Sequence, residues 1–205
     1  MTQTQKKTHR LAVAAMLTAV AAVLQFVEFA IPLMPSFIKL DISDLPALLG
    51  TFSLGPVYGV AIQLAKNLLH LPFGSSAGVG ELSNFILGAV FVFVAGIIYK
   101  HNKSRKSALV GSIAGAASMA LVSIVTNYFI VYPAYVVLYK LPLEAIVGMY
   151  EAILGGVSHV PTQNALLNCL LVFNVPFTLV KGLLDTALCL LIYKLSLIHI
   201  SEPTR

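Results

Sequence analysis

Apolar residues run along this chain in long stretches broken by short polar or charged tracts. The first stretch covers Leu11 to Ile31, after Lys6, Lys7 and Arg10. About 20 apolar residues are what a helix needs to cross a bilayer. A cationic start and an apolar run also describe a signal peptide, with Ala19-Val20-Ala21 as the cleavage site, but this run continues well past that point. A polar loop follows, Pro32 to Asp44, and then a short helix from Leu45 that Gly55-Pro56 must break. A third helix is expected over Val57 to Leu71, a Gly/Ser loop over Phe73 to Gly80, and a fourth helix over Glu81 to Tyr99. The fifth runs from Ser107 to Tyr132 and stops near Pro133. Leu141 to Gln163 is less apolar and reads as a loop with a short interfacial helix; the sixth span covers Asn168 to Tyr193. The pattern predicts an all-α integral membrane protein with six transmembrane helices in one domain, residues 1–195. The last ten residues, Ser196 to Arg205, resemble vector or adaptor read-through and are set aside as non-native.

Composition sharpens this. The 205 residues are 58% hydrophobic and only 10% charged, against roughly 25% charged in soluble domains. The few charges are clustered, which excludes a soluble enzyme, a nucleic-acid-binding module and a disordered tail. The net charge of +5 reflects loops rather than nucleic-acid contacts. Lys6, Lys7, Arg10, the tract Lys100 to Lys106 and Lys194 fall on one face of a six-span topology; the other holds Lys39 and Lys140 against Asp41, Asp44, Glu144 and Glu151. The positive-inside rule makes the basic face cytoplasmic and places both termini there. Cys169 and Cys189 sit in apolar stretches as buried thiols. The sequence contains no P-loop, no metal-ligand spacing and no recognised nucleophile–base motif.

Polar groups inside the apolar runs carry the functional signal, because an ionisable group in a bilayer is expensive. Gln63, Lys66, Asn67 and His70 form one helical stripe; Glu81, Asn84 and Gly88 share a face; Asn174, Thr178, Lys181 and Asp185 line up on a third. Thr126 and Asn127 add to the outer end of the fifth helix. Lys181 needs an acceptor, and Asp185 one turn on is available; Glu81 is a partner for Lys66 or His70. Such groups either satisfy one another across a bundle or line a pocket under the Pro32–Asp44 loop. Most are uncharged, which suits a neutral, heteroatom-rich ligand better than an ion path. On the first helix, Ala12, Ala15, Ala19 and Ala22 form a small-residue face, for packing within the chain or for docking a partner membrane protein.

Asp41-Ile42-Ser43-Asp44-Leu45-Pro46-Ala47-Leu48, Gly55-Pro56, Lys66-Asn67-Leu68-Leu69-His70 and Gly80-Glu81-Leu82-Ser83-Asn84-Phe85 stand in order along the chain. With Thr126-Asn127-Tyr128, Pro133 and Pro176-Phe177-Thr178-Leu179-Val180-Lys181-Gly182, they resemble the riboflavin-specific substrate-binding subunits of energy-coupling factor (ECF) transporters, over nearly the whole chain to Lys194. The resemblance implies a six-helix subunit of a bacterial cell membrane that captures riboflavin from outside, carries no cofactor and hydrolyses no ATP. It implies as partners a transmembrane coupling protein and two ATPase subunits, besides the lipid itself. It implies a ligand site drawn from Lys39, Leu40, Asp41, Ala77, Gly80, Glu81, Asn84, Asn127, Thr178 and Lys181, and a coupling-protein face at Ala15 and Ala19. Thr178 departs from the Asn that many members carry. The competing expectations are the same architecture for another vitamin, a small intramembrane enzyme using Glu81, His70 and Lys66, and a purely structural subunit.

Overall fold

The computed structural model describes residues 2–32, 34–35, 38–74, 76–140, 142–153 and 164–201, with side chains through residue 192. The chain is mostly helical. α1 (Gln3–Phe26) opens with a Thr2–Gln5 capping box, which satisfies backbone donors that a helix start leaves orphaned. It ends five residues short of the expected Ile31. Phe29–Ala30 (β1) instead pairs antiparallel with Lys39–Leu40 (β2), so the chain folds back here as a small ribbon.

α2 (Asp44–Leu54) and α3 (Pro56–His70) meet at Gly55, whose φ of +112° only glycine adopts without strain; Pro56 then starts α3 at a position that needs no donor. At 11 and 15 residues these helices span roughly 16 and 22 Å, less than the hydrocarbon thickness of about 30 Å. α4 (Val79–His101) and α5 (Arg105–Thr126) follow. α5 continues through a π turn (Asn127–Val131) into α6 (Tyr132–Tyr139). Pro133 therefore does not end the fifth span. The wider turn just before it accommodates the missing donor and the ring that would clash in a regular helix.

A short helix does lie within Leu141–Gln163: α7 (Leu143–Ile153). Residues 154–163, including His159, are outside the described residues. α8 (Ala165–Cys169) passes through a second π turn (Leu170–Asn174) into α9 (Val175–Ser201). The helical backbone thus enters the segment set aside as non-native; residues 202–205 are outside the described residues. Among the described residues, four continuous helical stretches are long and apolar enough to cross a membrane: Gln3–Phe26, Val79–His101, Arg105–Tyr139 and Ala165–Ile192.

The core lies between α4, α5 and α9, with α2 and α3 closing one side. Gly111 and Gly115 let α5 approach α4 closely: a Cβ at these positions would fall 2.8 Å from the Ala95 carbonyl oxygen and 2.5 Å from that of Phe91. Small residues four apart permit such packing where lipid supplies no hydrophobic force between helices. Gly182 presses α9 onto Ala116 in the same way. Large apolar side chains such as Val57, Phe73 and Leu191 face outward, while Gln63, Lys66, Asp44 and Asp185 are buried. Apolar-out, polar-in is the arrangement of a protein whose solvent is lipid.

Candidate functional site

An open cavity with about 1050 Å³ of empty space lies at the end of the bundle where α1 and α3 finish and α4 begins. It is built from separate elements. Gln25 comes from the end of α1; Glu28, Ile38, Lys39 and Asp41 from the ribbon and the residues flanking it; Asp44 opens α2. His70 closes α3, while Gly80, Glu81 and Asn84 begin α4. Asn127 and Asn174 belong to the two π turns, and Phe177, Thr178 and Lys181 to the first turns of α9. Tyr132 and Tyr135 complete the wall. π turns shift the side chains that follow them and recur at functional sites; here both bring an asparagine to one cavity.

Charges near its floor form a compact cluster. Lys66 Nζ donates to Asp44 Oδ1 at 2.5 Å and to Ser43 Oγ at 2.6 Å, and Gln63 Nε2 donates to Asp44 at 2.9 Å. Lys181 Nζ donates to Asp41 Oδ2 at 2.8 Å and to Asn84 Oδ1 at 3.1 Å, and lies 3.5 Å from Asp44 Oδ2. Asp41 also accepts from the Ser43 amide at 2.9 Å and from its hydroxyl. Two carboxylates and two ammonium groups compensate each other, as buried charges must. Burial pushes the Asp41 carboxyl up, but Lys181 and Lys66 beside it outweigh that effect and hold it below its ordinary range.

Lys181 therefore pairs with Asp41 after β2 and with Asn84 of α4. It does not pair with Asp185, whose carboxylate oxygens are buried without a hydrogen-bond partner among the described residues. The acceptors that the segment after β2 and α4 bring to the ammonium group outweigh a carboxylate one turn away on the same helix. Lys66 likewise takes Asp44 and leaves Glu81 to His70, whose Nδ1 lies 2.9 Å from Glu81 Oε1; Ser76 Oγ donates to the other Glu81 oxygen at 2.8 Å. Phe26 packs against the His70 ring at 4.9 Å between centroids. Lys39 is paired with Glu28, which ties the ribbon to the end of α1. Gln25 donates to Asn67 at 3.0 Å, tying α1 to α3.

A second polar unit closes the opposite wall. The Tyr132 and Tyr150 hydroxyls lie 2.5 Å apart, Tyr150 donates to Asn174 Oδ1 at 2.6 Å, and Asn174 Nδ2 donates to Tyr132 at 3.2 Å. This triad docks α7 on α6 and the second π turn. Asn127 and Thr178 differ from all of these. Both line the cavity and are nearly buried, yet neither makes a side-chain hydrogen bond among the described residues.

Of the residues expected at a ligand site, Lys39, Asp41, Gly80, Glu81, Asn84, Asn127, Thr178 and Lys181 line this one cavity. Leu40 and Ala77 are not among its lining residues; Ala77 is exposed in a left-handed turn at φ 47°. Gln25, Glu28, Tyr132 and Tyr135 line it although the sequence pattern does not single them out. A lone Gln and Glu at the end of an apolar run, and tyrosines within one, give no periodic signal. Ala15 and Ala19 stand on the outer side of α1, near the exposed Met16 and Val20, whereas Ala22 is buried. The alanine face is thus divided between outward and inward packing.

The family model described as "ECF transporter, substrate-specific component" matches residues 9–193. Riboflavin transporter RibU of Staphylococcus aureus (strain TCH60) is 34% identical over 189 residues, covering 92% of this chain and 90% of that protein. Riboflavin transporter FmnP of Bacillus subtilis (strain 168) is 30% identical over 190 residues, covering 91% of each. A solved structure described as "Structure and mechanism of the S component of a bacterial ECF transporter" aligns with a TM-score of 0.72 at 33% identity, over 96% of this chain and 99% of that one.

Proposed function

The chain belongs to the substrate-specific components of ECF transporters, and we propose that within this family it binds riboflavin, capturing it outside the cell for import. It is a multi-pass membrane protein and a transporter component rather than an enzyme. The cavity carries this reading. It sets apolar and aromatic side chains (Ile38, Leu87, Met119, Phe177, Tyr132 and Tyr135) among polar ones, and two of the polar ones, Asn127 and Thr178, are nearly buried and make no hydrogen bond to the described protein. A flat apolar ring system with carbonyls and ring nitrogens on one edge and a chain of hydroxyls calls for apolar walls with a few placed polar groups. Asn127 both donates and accepts, and Thr178 keeps a donor and an acceptor on a shorter arm than asparagine. Lys181 donates to a ligand carbonyl by exchanging its bond to Asn84. Lys39 and Asp41 form the cover, and Gly80, Glu81 and Asn84 the side beneath it.

In this reading both termini are cytoplasmic, six helices including the short α2 and α3 embed in the bilayer, and Ser196–Arg205 is not native. Riboflavin is the cargo and no cofactor is required. Energy comes from two ATPase subunits through a transmembrane coupling protein that docks on Ala15 and Ala19, whose position on the outer side of α1 suits such a contact. The intramembrane-enzyme alternative is disfavoured: His70 and Ser76 already occupy both Glu81 oxygens, and Lys66 is committed to Asp44. Equilibrium titration of the purified chain against riboflavin and a panel of other vitamins tests the proposal. Tight binding of riboflavin alone is expected; preference for another vitamin would refute it.

A further inference from the structure

At the other end of the bundle lies a second cavity, with about 860 Å³ of empty space. Along α1, Arg10 at this end and Gln25 at the first cavity are separated by about 22 Å at 1.5 Å per residue. The walls come from α1, the α2–α3 corner and the end of α4 with the turn that follows it. Arg10 lines it from α1, Lys100 and Lys103 line it from the α4 side, and no acidic residue does. Among the described residues none of these three cations has an ion-pair partner.

The floor is rigid. Gly96 brings α4 against the corner so closely that a Cβ there would fall 2.6 Å from Thr51 Cγ2 and 2.7 Å from Pro56 Cβ. The Phe52 and Tyr99 rings pack 4.8 Å apart beside it. Tyr58 lines the same space and carries a hydroxyl donor. Because α2 ends and α3 begins at this corner, their opposed dipole ends offset each other, and the side-chain charges decide which ligand is favoured.

We propose that this basic cavity binds the phosphate headgroup of an anionic phospholipid. Cationic pockets between membrane helices take such headgroups. The flanks separate lipid from a soluble phosphate: Leu11 beside Arg10, Val57 on the rim and Ile97 one turn before Lys100 are 61%, 73% and 40% exposed. A ligand here meets cations at its head and an apolar lane along its tail, which describes an amphiphile. The bound lipid would bridge α1, the α2–α3 corner and α4 at the basic face.

The test uses the full chain, delipidated and then exchanged into phosphatidylcholine bilayers containing phosphatidylglycerol. Retained lipid is counted by native mass spectrometry. The native chain should retain phosphatidylglycerol over phosphatidylcholine, and Arg10→Gln/Lys100→Gln/Lys103→Gln should weaken retention on the order of 100-fold. Lys106→Gln, basic but outside the cavity, should leave it unchanged, and all variants should keep native riboflavin affinity, which certifies their folding. Equal phosphatidylglycerol retention by the native chain and the triple variant would overturn the proposal. So would displacement of the lipid by inorganic phosphate, which would assign the cavity to a soluble anion. A triple variant that loses only coupling-protein binding, with lipid retention intact, would assign the cations to a protein interface and equally overturn it.

Discussion

Lys181 joins three parts of the site: Asp41 after the β1–β2 ribbon, Asn84 on α4 and its own helix α9. Lys181→Met keeps most of the length of the side chain and removes its charge. Breaking a buried ion pair costs roughly 3–5 kcal/mol. With Lys181 8% and Asp41 6% exposed, the low end applies. A charge-assisted hydrogen bond to the ligand contributes roughly 1.5–3 kcal/mol more directly to binding. Lys181→Met should therefore weaken riboflavin binding on the order of 100-fold. Asp41→Asn should weaken it less, about 10-fold, because it keeps the side chain's shape at the cavity and weakens mainly the docking of the segment after β2 on Lys181. In the double variant the second substitution should add nothing, since Asp41 no longer has the ammonium group to hold. The assay is equilibrium riboflavin titration by fluorescence quenching on the four proteins, read as a double-mutant cycle. The Asp41 carboxyl is held below its ordinary value near 3.8, so its contribution is complete above that pH and lost as pH falls through the lower folded-state value. The coupling should be constant from about pH 8 to 5 and fade only below about 4. Additive losses, native affinity in Lys181→Met, or a coupling that disappears by pH 6 would refute the reasoning.

Gly115→Val places a branched side chain against the Phe91 carbonyl oxygen, which a Cβ alone would approach to 2.5 Å. It should destabilise the chain by about 1–3 kcal/mol, seen as a lowered thermal transition in detergent, while Ala117→Val serves as the control at an exposed position of α5. Tyr150→Phe removes the hydroxyl that bonds both Tyr132 and Asn174 and should loosen α7 by about 1–2 kcal/mol, read as faster amide exchange across Leu143–Ile153 with α4 unchanged. Ala15→Leu/Ala19→Leu should abolish capture by the coupling protein, measured by co-purification, and leave riboflavin affinity unaltered.

Much of this architecture is legible because two signals are strong in sequence. Gly55-Pro56 marks a break that a helix cannot pass without strain, and α2 and α3 meet there. Polar groups at helical spacing in apolar runs must face inward; the Gln63–His70, Glu81–Asn84 and Asn174–Asp185 stripes are all drawn from α3, α4 and the second π turn with α9. Pairings between stripes are not legible. Local spacing suggests Lys181 with Asp185, whereas tertiary placement brings Asp41 from 140 residues away. The π turns also leave no periodic trace, so apolar pattern and proline together point to a stop where the fifth span in fact runs on through Pro133. Tyr132 and Tyr150 read as ordinary apolar aromatics until α7 docks and brings their hydroxyls together.

The absorbance spectrum of the chain purified from riboflavin-replete cells, followed by titration of the ligand-stripped protein, addresses the central proposal most directly. Co-purified flavin with its visible isoalloxazine bands, and one tight riboflavin site per chain after stripping, is the predicted result. A colourless preparation that binds no riboflavin when titrated would contradict it.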